Sequence, residues 1–456
     1  MIPLRLSEIA AITGGELLGD DVVVSGPAYV DSRSPTPQGL FVALVGERVD
    51  GHDYAEGAHA VLGTRPTAAP TVVVGDPVVA LGLLARNVLD RLETTVLAMT
   101  GSQGKTGTKD YLASVLRTLI GDHAVVATAG NNNNELGVPL TVLRAEESTR
   151  YLVVEMGARG IGHIDYLCSI APPSVAAVLN VGSAHVGEFG GREAIAEAKG
   201  EIVASLPESG VAVLNADDPL VAAMADRTRA RVLTFGSTGG VRWRDVELDR
   251  LGRPVFELGY DDRWHPVTLL QTGPHQVLNA AAAAAMAIGA GLPAADVAAA
   301  LSSAAPASRW RMEVTERPDG LVLVNDAYNA NPESMRAALE ALVAIGRGDG
   351  DRRRRTVAVL GEMRELGSEH DAGHRAVGEA ARALGVDVVI VVTDAAHGIA
   401  EGAAGGSTEV VVTAGREEAA EWVRQNAGAE DVVLVKASRG AALEFIAEQI
   451  LEGTTP

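Results

Sequence analysis

The chain has 456 residues, which at roughly 150 residues per domain predicts about three domains. Lys and Arg number 38 against 59 Asp and Glu, and the formal net charge of −21 disfavours binding to nucleic acid or to an anionic membrane. The 47% hydrophobic content excludes a disordered chain, and the single cysteine excludes an intramolecular disulfide and a cysteine-rich zinc site. We expect a globular protein of the reducing cytoplasm.

The N-terminal region predicts a small α/β domain over residues 1–93. Its first residues, MIPLRLSEIAAITGG, are typical of a short amphipathic helix and lack the basic flank and long apolar stretch of a signal peptide. DSRSPTPQG predicts a turn and FVAL a strand. The longest alanine run, Ala280–Ala287, is too short to span a bilayer, so we expect no membrane insertion.

From Thr94 onward, apolar β-branched runs alternate with helical stretches. The runs are TTVLAM, YLVVEMG, SVAAVLNV and VAVLNADD. This alternation indicates a buried parallel sheet with crossover helices. Helices predicted over Asn279–Gly289 and Pro293–Ser303 complete a central domain of the P-loop ATPase type over residues 94–306.

Five further runs follow a boundary near Pro306. They are LVLVNDAYNANP, TVAVLGEM, VDVVIVVTDA, TEVVVT and DVVLVKAS. Segments of helix length separate them, which predicts a second doubly wound, Rossmann-like α/β domain over residues 307–456.

The sharpest local pattern is a glycine-rich loop between a strand and a helix, formed by Gly101, Ser102, Gln103, Gly104, Lys105 and Thr106. Glycines let the backbone wrap phosphate oxygens, Lys105 can reach the β- and γ-phosphates, and the Thr106 hydroxyl can ligate Mg²⁺. The loop predicts an ATP or GTP site. Met99 stands where the general pattern has its first glycine, so a purely structural turn is the alternative.

Two residues after the loop could serve the same site. Glu155 ends a predicted strand and could hold Mg²⁺, and His185 follows the next strand as a second metal ligand. Each of these two residues could equally be an ordinary structural residue at a strand end. From the sequence alone, Lys199 is a solvated lysine of a predicted helix.

Polar residues also follow two strands of the third predicted domain. The first group contains Asp326, Tyr328, Asn329 and Asn331, and the second contains Lys436, Ser438 and Arg439. Such clusters suggest ligand contacts, and the cations could receive a carboxylate or phosphate. Turn formation and helix capping are the structural alternatives.

Taken together, these motifs resemble the Mur ligase family, whose shorter glycine spacing also accounts for Met99. The resemblance extends over essentially the whole chain. It rests on DSR at Asp31, FVALVGERVDGHDY at Phe41, TGSQGKTGTKD at Thr100, NNNNELGVPLTVL at Asn131, EMGARGIGHI at Glu155, NVGSAHVGEFG at Asn180, NADDP at Asn215, GPHQVLNAAAA at Gly273, RMEV at Arg311, NDAYNANPESM at Asn325, LGEMRELG at Leu360 and KASRG at Lys436.

The resemblance implies an ATP-dependent ligase whose three domains bind a UDP sugar, ATP and the incoming amine. ATP would phosphorylate the terminal carboxylate of UDP-MurNAc-tripeptide, and the amino group of D-Ala-D-Ala would displace the phosphate. The chain lacks the DNPR motif by which the preceding ligase of the pathway recognises a diamino acid. We therefore expect the protein to catalyse the dipeptide-adding step of peptidoglycan synthesis. We also expect it to be a monomer.

The resemblance also implies roles for individual residues. Thr106, Glu155, His185 and a carbamylated Lys199 would hold magnesium at two sites, and Lys105, Lys199 and His185 would be catalytic. ATP would contact the loop residues Gly101 to Thr106 together with Asn279, Arg311, Asp326 and Asn329. The UDP-sugar peptide would contact Ser32, Arg33, Asn133 and Asn134. The dipeptide or the C-terminal cleft would involve Asn331, Lys436, Ser438 and Arg439.

Other functions remain open at this point. An amino-acid-adding Mur ligase and a folylpolyglutamate synthetase share the ATP core, although FVALVGERVDGHDY favours a UDP-muramyl substrate over folate. A P-loop regulatory NTPase would need an effector module, which the sequence does not contain.

Overall fold

The computed structural model describes residues 1–182, 191–348, 353–364 and 366–452. The chain divides into two compact units. The first holds Met1–Val181, Glu193–Phe235 and Ala285–Leu292, and the second holds Gly236–Ala284 and the described residues from Pro293 onward. In the described part of the chain, no helix is long and apolar enough to cross a membrane. The three predicted domain ranges stay a prediction.

The N-terminal part of the first unit is the small α/β fold that the sequence predicts. Its five-stranded sheet has the spatial order Glu16–Leu18, Thr71–Val73, Ala60–Gly63, Leu40–Val42 and Ala28–Tyr29. Only the first of these pairings is antiparallel. A separate antiparallel pair joins Leu4–Arg5 to Val23–Val24. The helices are Leu6–Thr13, the 3-10 turn Gly51–Tyr54 and Pro77–Asp90.

A six-stranded parallel sheet forms the rest of the first unit. Its spatial order is Arg231–Phe235, Val211–Asn215, Val175–Val178, Thr95–Thr100, Tyr151–Glu155 and Val125–Ala127. The helices are Lys105–Ile120, Gly137–Val142, His163–Ile170, Arg192–Ala204 and Pro219–Ala222. The four predicted central strands are confirmed. The two edge strands were not predicted, because one has three residues and the other is partly exposed at three of its five positions.

The second unit begins with an antiparallel three-stranded sheet that the sequence analysis missed. Its strands are Arg242–Leu248, Pro254–Tyr260 and Arg263–Thr268. Asp261 and Asp262 both have positive φ angles and form the two-residue turn of the second hairpin. Helices follow at Gln276–Gly289 and Ala294–Ser302, which confirms both predicted helices.

The C-terminal sheet has six strands in the spatial order Glu313–Glu316, Val322–Asp326, Asp431–Lys436, Arg355–Leu360, Val388–Val392 and Glu409–Thr413. The first strand is antiparallel and the others are parallel, so the five predicted strands are confirmed and an edge strand is added. The helices are Pro332–Arg347, His370–Leu384, His397–Ala403, Arg416–Asn426 and Glu444–Glu452.

Alternate residues of the C-terminal strands belong to separate hydrophobic clusters. Val322 and Val324 pack in one cluster with Leu339 and Leu342, whereas Leu321 and Leu323 pack in another. Because successive side chains of a strand point to opposite faces, the sheet is buried on both sides. This is the doubly wound arrangement that the sequence predicts.

The helices His370–Leu384 and His397–Ala403 approach each other through two glycines. A Cβ atom at Gly378 would collide with the carbonyl oxygen of Ile399, and one at Gly402 would collide with that of Arg375. The backbones are too close to accommodate a methyl group. We expect Gly378→Ala to lower the melting temperature of the protein by about 5 °C, measured by differential scanning calorimetry.

Gly428→Ala is the matched control, because no atom lies within 4 Å of the added Cβ and the φ angle of Gly428 is not positive. Equal melting temperatures for the two variants would contradict this account of the helix pair.

Candidate active site

The glycine-rich loop lies where the sequence predicts it, between the strand Thr95–Thr100 and the helix Lys105–Ile120. Gly104 precedes the helix with a φ of 77°, a left-handed conformation that glycine adopts without strain. The Lys105 ammonium group donates to the Gly101 carbonyl at 2.7 Å. The lysine therefore lies over its own loop, next to the helix N-terminus that can bind an anion.

Asn180 holds the loop from the neighbouring strand and was missed by the sequence analysis. Its Oδ1 accepts from the Gln103 amide at 3.0 Å, and its Nδ2 donates to the Gln103 carbonyl at 3.2 Å. The Ser102 amide also donates to the Asn180 carbonyl at 3.2 Å. The available signal was a polar residue just after a buried strand, at the carboxyl edge where this sheet carries its loop.

Glu155 and Thr106 lie together, as predicted from the shared edge of the sheet. The Thr106 hydroxyl donates to Glu155 Oε2 at 3.0 Å, and the Asn133 side-chain amide donates to Oε1 at 2.8 Å. Glu155 is only 3% exposed. His185, the second predicted metal ligand, lies outside the described residues.

Further contacts, made through Thr128, hold the backbone of Glu155. The Glu155 amide donates to the Thr128 hydroxyl at 3.0 Å, and the buried Lys109 ammonium donates to the Thr128 carbonyl at 3.0 Å. Lys109 also pairs with Asp110 at 2.8 Å. The buried Lys109 ammonium thus fixes Thr128, which in turn bonds the strand that ends in Glu155. The sequence did not indicate this role, because Lys109 occupies an ordinary position in a helix.

Lys199 is buried in the helix Arg192–Ala204, contrary to the solvated lysine that sequence reasoning alone would give. Burial and the nearby charge of Lys105 lower its pKa to about 7. A large fraction of this amine is therefore neutral near neutral pH, which makes it a nucleophile.

Two more predicted substrate residues, Arg33 and Asn134, have local partners in the structure. The exposed Arg33 pairs with Asp31 at 2.8 Å, next to Ser32. The Asn134 side chain accepts from the amide of Gly137, the first residue of the following short helix, at 2.9 Å. Their predicted contacts with the UDP-sugar peptide stay predictions.

In the second unit, Asp326 and Lys436 form a buried ion pair. Their residues are paired in the register of adjacent parallel strands, and Lys436 Nζ lies 2.6 Å from Asp326 Oδ2. Lys436 also donates to the Asn329 carbonyl at 2.8 Å and is only 2% exposed. The other Asp326 oxygen accepts from the Met312 amide at 3.1 Å. Lys436 therefore ties two loops together.

Ser438 and Asn331 also bond to the backbone. The Ser438 hydroxyl accepts from the Arg364 amide at 2.9 Å and so holds the loop after the strand Arg355–Leu360. The Asn331 side chain accepts from the Ser334 amide at 2.8 Å, as the N-cap of the helix Pro332–Arg347. This cap is one of the structural alternatives that the sequence left open.

Arg311 and Arg439 have different surroundings, because their guanidinium groups lie on aromatic rings. The Arg311 Cζ atom is 4.2 Å from the centroid of the Tyr328 ring. The Arg439 Cζ atom is 5.3 Å from the same centroid and 5.2 Å from that of Trp310. Sequence reasoning singled out both arginines but missed Trp310.

The predicted adenine contact, Asn279, is buried in the first turns of the helix Gln276–Gly289. Its Nδ2 donates to Gln276 Oε1 at 3.1 Å. Burial lowers the pKa of the neighbouring His275, which favours the neutral imidazole. The role of Asn279 stays a prediction.

Two family profiles match the chain. The Mur ligase middle domain matches residues 99–287, and the Mur ligase glutamate ligase domain matches residues 310–439. The first range contains the loop, Glu155 and Lys199, and the second contains Arg311, Asp326 and Arg439.

Curated relatives match over the full length. A UDP-N-acetylmuramoyl-tripeptide–D-alanyl-D-alanine ligase of Mycobacterium tuberculosis is 44% identical, with 100% of this chain and 99% of the relative covered. The enzyme of the same name from Escherichia coli is 36% identical, with 100% of each chain covered.

Solved structures agree with the sequence relatives. MurF from Acinetobacter baumannii superposes with a TM-score of 0.86 at 30% identity, covering 99% of both chains. MurF ligase from Thermotoga maritima in complex with ADP gives a TM-score of 0.79 at 32% identity, covering 94% of this chain and 98% of that one.

Lys109 offers a test of the support behind Glu155. Lys109→Met removes the ammonium that bonds Thr128 and leaves the Asp110 carboxylate buried without its partner. We expect the free energy of unfolding to fall by about 3 kcal/mol, measured by urea denaturation.

Arg117→Met in the same helix is the control. Arg117 is partly exposed and lies 3.7 Å from the exposed Asp122, so we expect a change below about 0.5 kcal/mol. An equally small change in Lys109→Met would show that the buried ammonium does not stabilise the fold.

Proposed function

The chain belongs to the Mur ligase family, and we propose that it joins D-Ala-D-Ala to UDP-MurNAc-tripeptide with cleavage of ATP to ADP and phosphate. The observation that carries this proposal is the full-length match, at 44% identity, to a ligase named for that reaction. The loop geometry agrees with it, because the Glu155 carboxylate, which accepts from both Thr106 and Asn133, lies beside a helix N-terminus suited to phosphate.

The reaction activates a poor electrophile. A carboxylate oxygen of the tripeptide attacks the γ-phosphorus of ATP, ADP leaves, and an acyl phosphate forms. The dipeptide amino group then attacks the acyl carbon, and the tetrahedral intermediate collapses with loss of phosphate. Catalysis rests mainly on positioning and on stabilisation of negative charge.

The loop residues Gly101 to Thr106 bind the phosphates of ATP in this proposal, with Lys105 turning from the Gly101 carbonyl towards the γ-phosphate. Among the described residues, no group of three or more His, Cys, Asp or Glu side chains is arranged so that it could hold a metal ion. Thr106 and Glu155 supply a hydroxyl and a carboxylate, the oxygen ligands that suit Mg²⁺, which commonly uses one or two carboxylates together with substrate phosphates. These residues fit Mg²⁺, which would offset charge on the transferred phosphoryl group. His185 completes the proposed set.

We assign Lys199 a carbamate. Its neutral amine can attack CO₂ at carbon, lose a proton and leave a carbamate anion in place of an ammonium cation. The burial of Lys199 and its pKa of about 7 support this step. The product would present oxygen atoms beside Lys105, where an ammonium group would be repelled.

The remaining assignments follow the family motifs. Asn279 contacts adenine, Arg311 the γ-phosphate, Asp326 the ribose, and Asn329 the nucleotide. Ser32, Arg33, Asn133 and Asn134 contact the UDP-sugar peptide. Asn331, Lys436, Ser438 and Arg439 form the cleft for the dipeptide, where Lys436 and Ser438 act by holding the loops in place. We propose a monomer that works in the cytoplasm.

Phosphate release from Mg-ATP tests the proposed reaction. We expect phosphate only when UDP-MurNAc-tripeptide and D-Ala-D-Ala are both present, with one amide formed per phosphate, measured by a coupled phosphate assay and mass spectrometry. Omission of either substrate is the control.

Turnover with a single diamino acid would move the chain to an amino-acid-adding Mur ligase, and turnover with folate and glutamate would move it to a folylpolyglutamate synthetase. Turnover without any acceptor would favour a regulatory NTPase.

The carbamate is tested by chemical rescue. Lys199→Ala should lose activity by at least about a hundredfold, and short carboxylic acids such as acetate should restore part of it by replacing the carbamate oxygens. Lys105→Ala is the matched control, since a carboxylate cannot replace its cation. Failure of rescue in Lys199→Ala would count against the carbamate.

The pKa of Lys199 adds a pH dependence. Since the amine is neutral above about pH 7, carbamate formation at fixed dissolved CO₂ should rise as the pH increases through that value. The ¹³C NMR signal of protein treated with ¹³C-labelled bicarbonate measures it. A signal that does not change between about pH 6 and about pH 8, roughly one pH unit on either side of the Lys199 pKa of about 7, would contradict the assignment.

A further inference from the structure

Arg311 and Arg439 are two guanidinium groups that lie on aromatic rings. Within the described ranges of the chain, neither has an ion pair or a side-chain hydrogen bond, although most arginines of this acidic protein pair with a carboxylate. Arg439 is exposed and Arg311 is half-buried. Their forked N–H donors therefore make no ion pair with a carboxylate of the described residues.

The Tyr328 ring holds both guanidiniums. Its centroid lies 4.2 Å from the Cζ atom of Arg311 and 5.3 Å from that of Arg439, so the two cations are at most about 10 Å apart and repel each other within a Debye length. Attraction to the ring face offsets part of this repulsion. An arrangement of this kind is suited to two anionic groups.

Trp310 holds only one of the two cations, with its ring 5.2 Å from the Arg439 Cζ atom. The backbone at Trp310 has a φ of 58° and that at Met312 a φ of 48°, both in the left-handed region. Hydrogen bonds fix this segment: the Trp310 carbonyl accepts from the Tyr328 amide at 3.1 Å, and the Met312 amide donates to Asp326 at 3.1 Å. The rings are therefore set by the backbone before any ligand binds.

We propose that Tyr328 and Trp310 are positioning residues of the ligase reaction, which hold Arg311 for the transferred phosphoryl group and Arg439 for the carboxylate of the incoming dipeptide. This inference rests on the proposed function. Beyond that function, it assigns a role to the two aromatic residues and couples the two arginines proposed to bind anions.

The dimensions of the reactants agree with this division. An extended dipeptide spans roughly 7 Å, so a dipeptide whose amino group attacks the acyl phosphate places its terminal carboxylate about that far away. Two guanidiniums held on one ring can serve both ends at once, and each guanidinium can bind its oxyanion through two parallel N–H donors.

The test compares Michaelis constants in variants that keep or remove each ring. Tyr328→Leu should raise KM for both Mg-ATP and D-Ala-D-Ala by about fivefold, and Trp310→Leu should raise KM for D-Ala-D-Ala alone by a similar factor. Tyr328→Phe and Trp310→Phe keep an aromatic face and should restore most of the loss.

Trp264→Leu is the matched control. Trp264 also carries arginines, with the Cζ atoms of Arg244 and Arg242 at 4.2 Å and 5.5 Å from its ring, but it belongs to the antiparallel three-stranded sheet. We expect both Michaelis constants to remain unchanged in this variant. Melting temperatures show whether each variant folds. If Tyr328→Leu fails to fold, the comparison of Trp310→Leu with Trp310→Phe tests the inference.

A dipeptide amide provides a second readout. D-Ala-D-Ala whose terminal carboxylate is converted to a carboxamide should bind the unchanged protein about tenfold more weakly than the free acid, and Trp310→Leu and Arg439→Gln should each reduce that difference. A difference that is undiminished in both variants, or equal effects of the Leu and Phe substitutions, would overturn the inference.

The outcome is separable from that of the proposed function. Turnover by the unchanged protein shows which acceptor is used. The ratio of the Michaelis constants of variant and unchanged protein shows whether the rings position the arginines. If a single amino acid proves to be the acceptor, its carboxylate replaces that of the dipeptide in the same comparison. No turnover with any acceptor would overturn both proposals.

Discussion

The hydrogen bond from the Thr106 hydroxyl to the Glu155 carboxylate is the interaction on which the proposed nucleotide site depends. It joins the first turn of a helix to the end of a strand that follows much later in the chain. Parallel pairing makes it possible, because the strand ending in Glu155 runs beside the strand that leads into the loop, with Glu155 opposite Met99. The register of the sheet therefore sets the distance between loop and carboxylate, and the Lys109–Thr128 contacts keep that register from shifting.

The C-terminal sheet uses the same principle with different chemistry. Asp326 lies opposite Lys436 in adjacent parallel strands, and their buried ion pair brings two loops to one edge. A buried ion pair stabilises a fold only weakly, because desolvation opposes the attraction. Its evident effect here is positional: one Asp326 oxygen fixes Lys436, the other fixes the strained segment at Met312, and that segment orients Trp310.

The sequence predicted the elements whose local pattern is decisive. Long apolar runs revealed the buried central strands, and Lys105 and Thr106 between a strand and a helix revealed the loop. The missed strands are short edges or parts of a hairpin whose turn is Asp261–Asp262, without the glycine that usually marks such a turn. Lys109 and Trp310 could not be found because their roles arise from tertiary contacts, whereas Asn180 carried the signal of a polar residue just after a buried strand. Lys199 shows the limit best, since only burial distinguishes it from a solvated helix lysine.

Charge explains why the two sites need such different supports. The chain carries a formal net charge of −21, yet its substrates are themselves anions, so each site must present local cations to them. At the proposed nucleotide site, burial and the charge of Lys105 lower the pKa of Lys199, and a carbamate there would turn repulsion between two lysines into attraction. In the second unit, aromatic rings replace carboxylates as the partners of Arg311 and Arg439. The face of an aromatic ring holds a guanidinium in place and leaves the N–H donors of the guanidinium available to an anionic substrate. A carboxylate partner would occupy those donors.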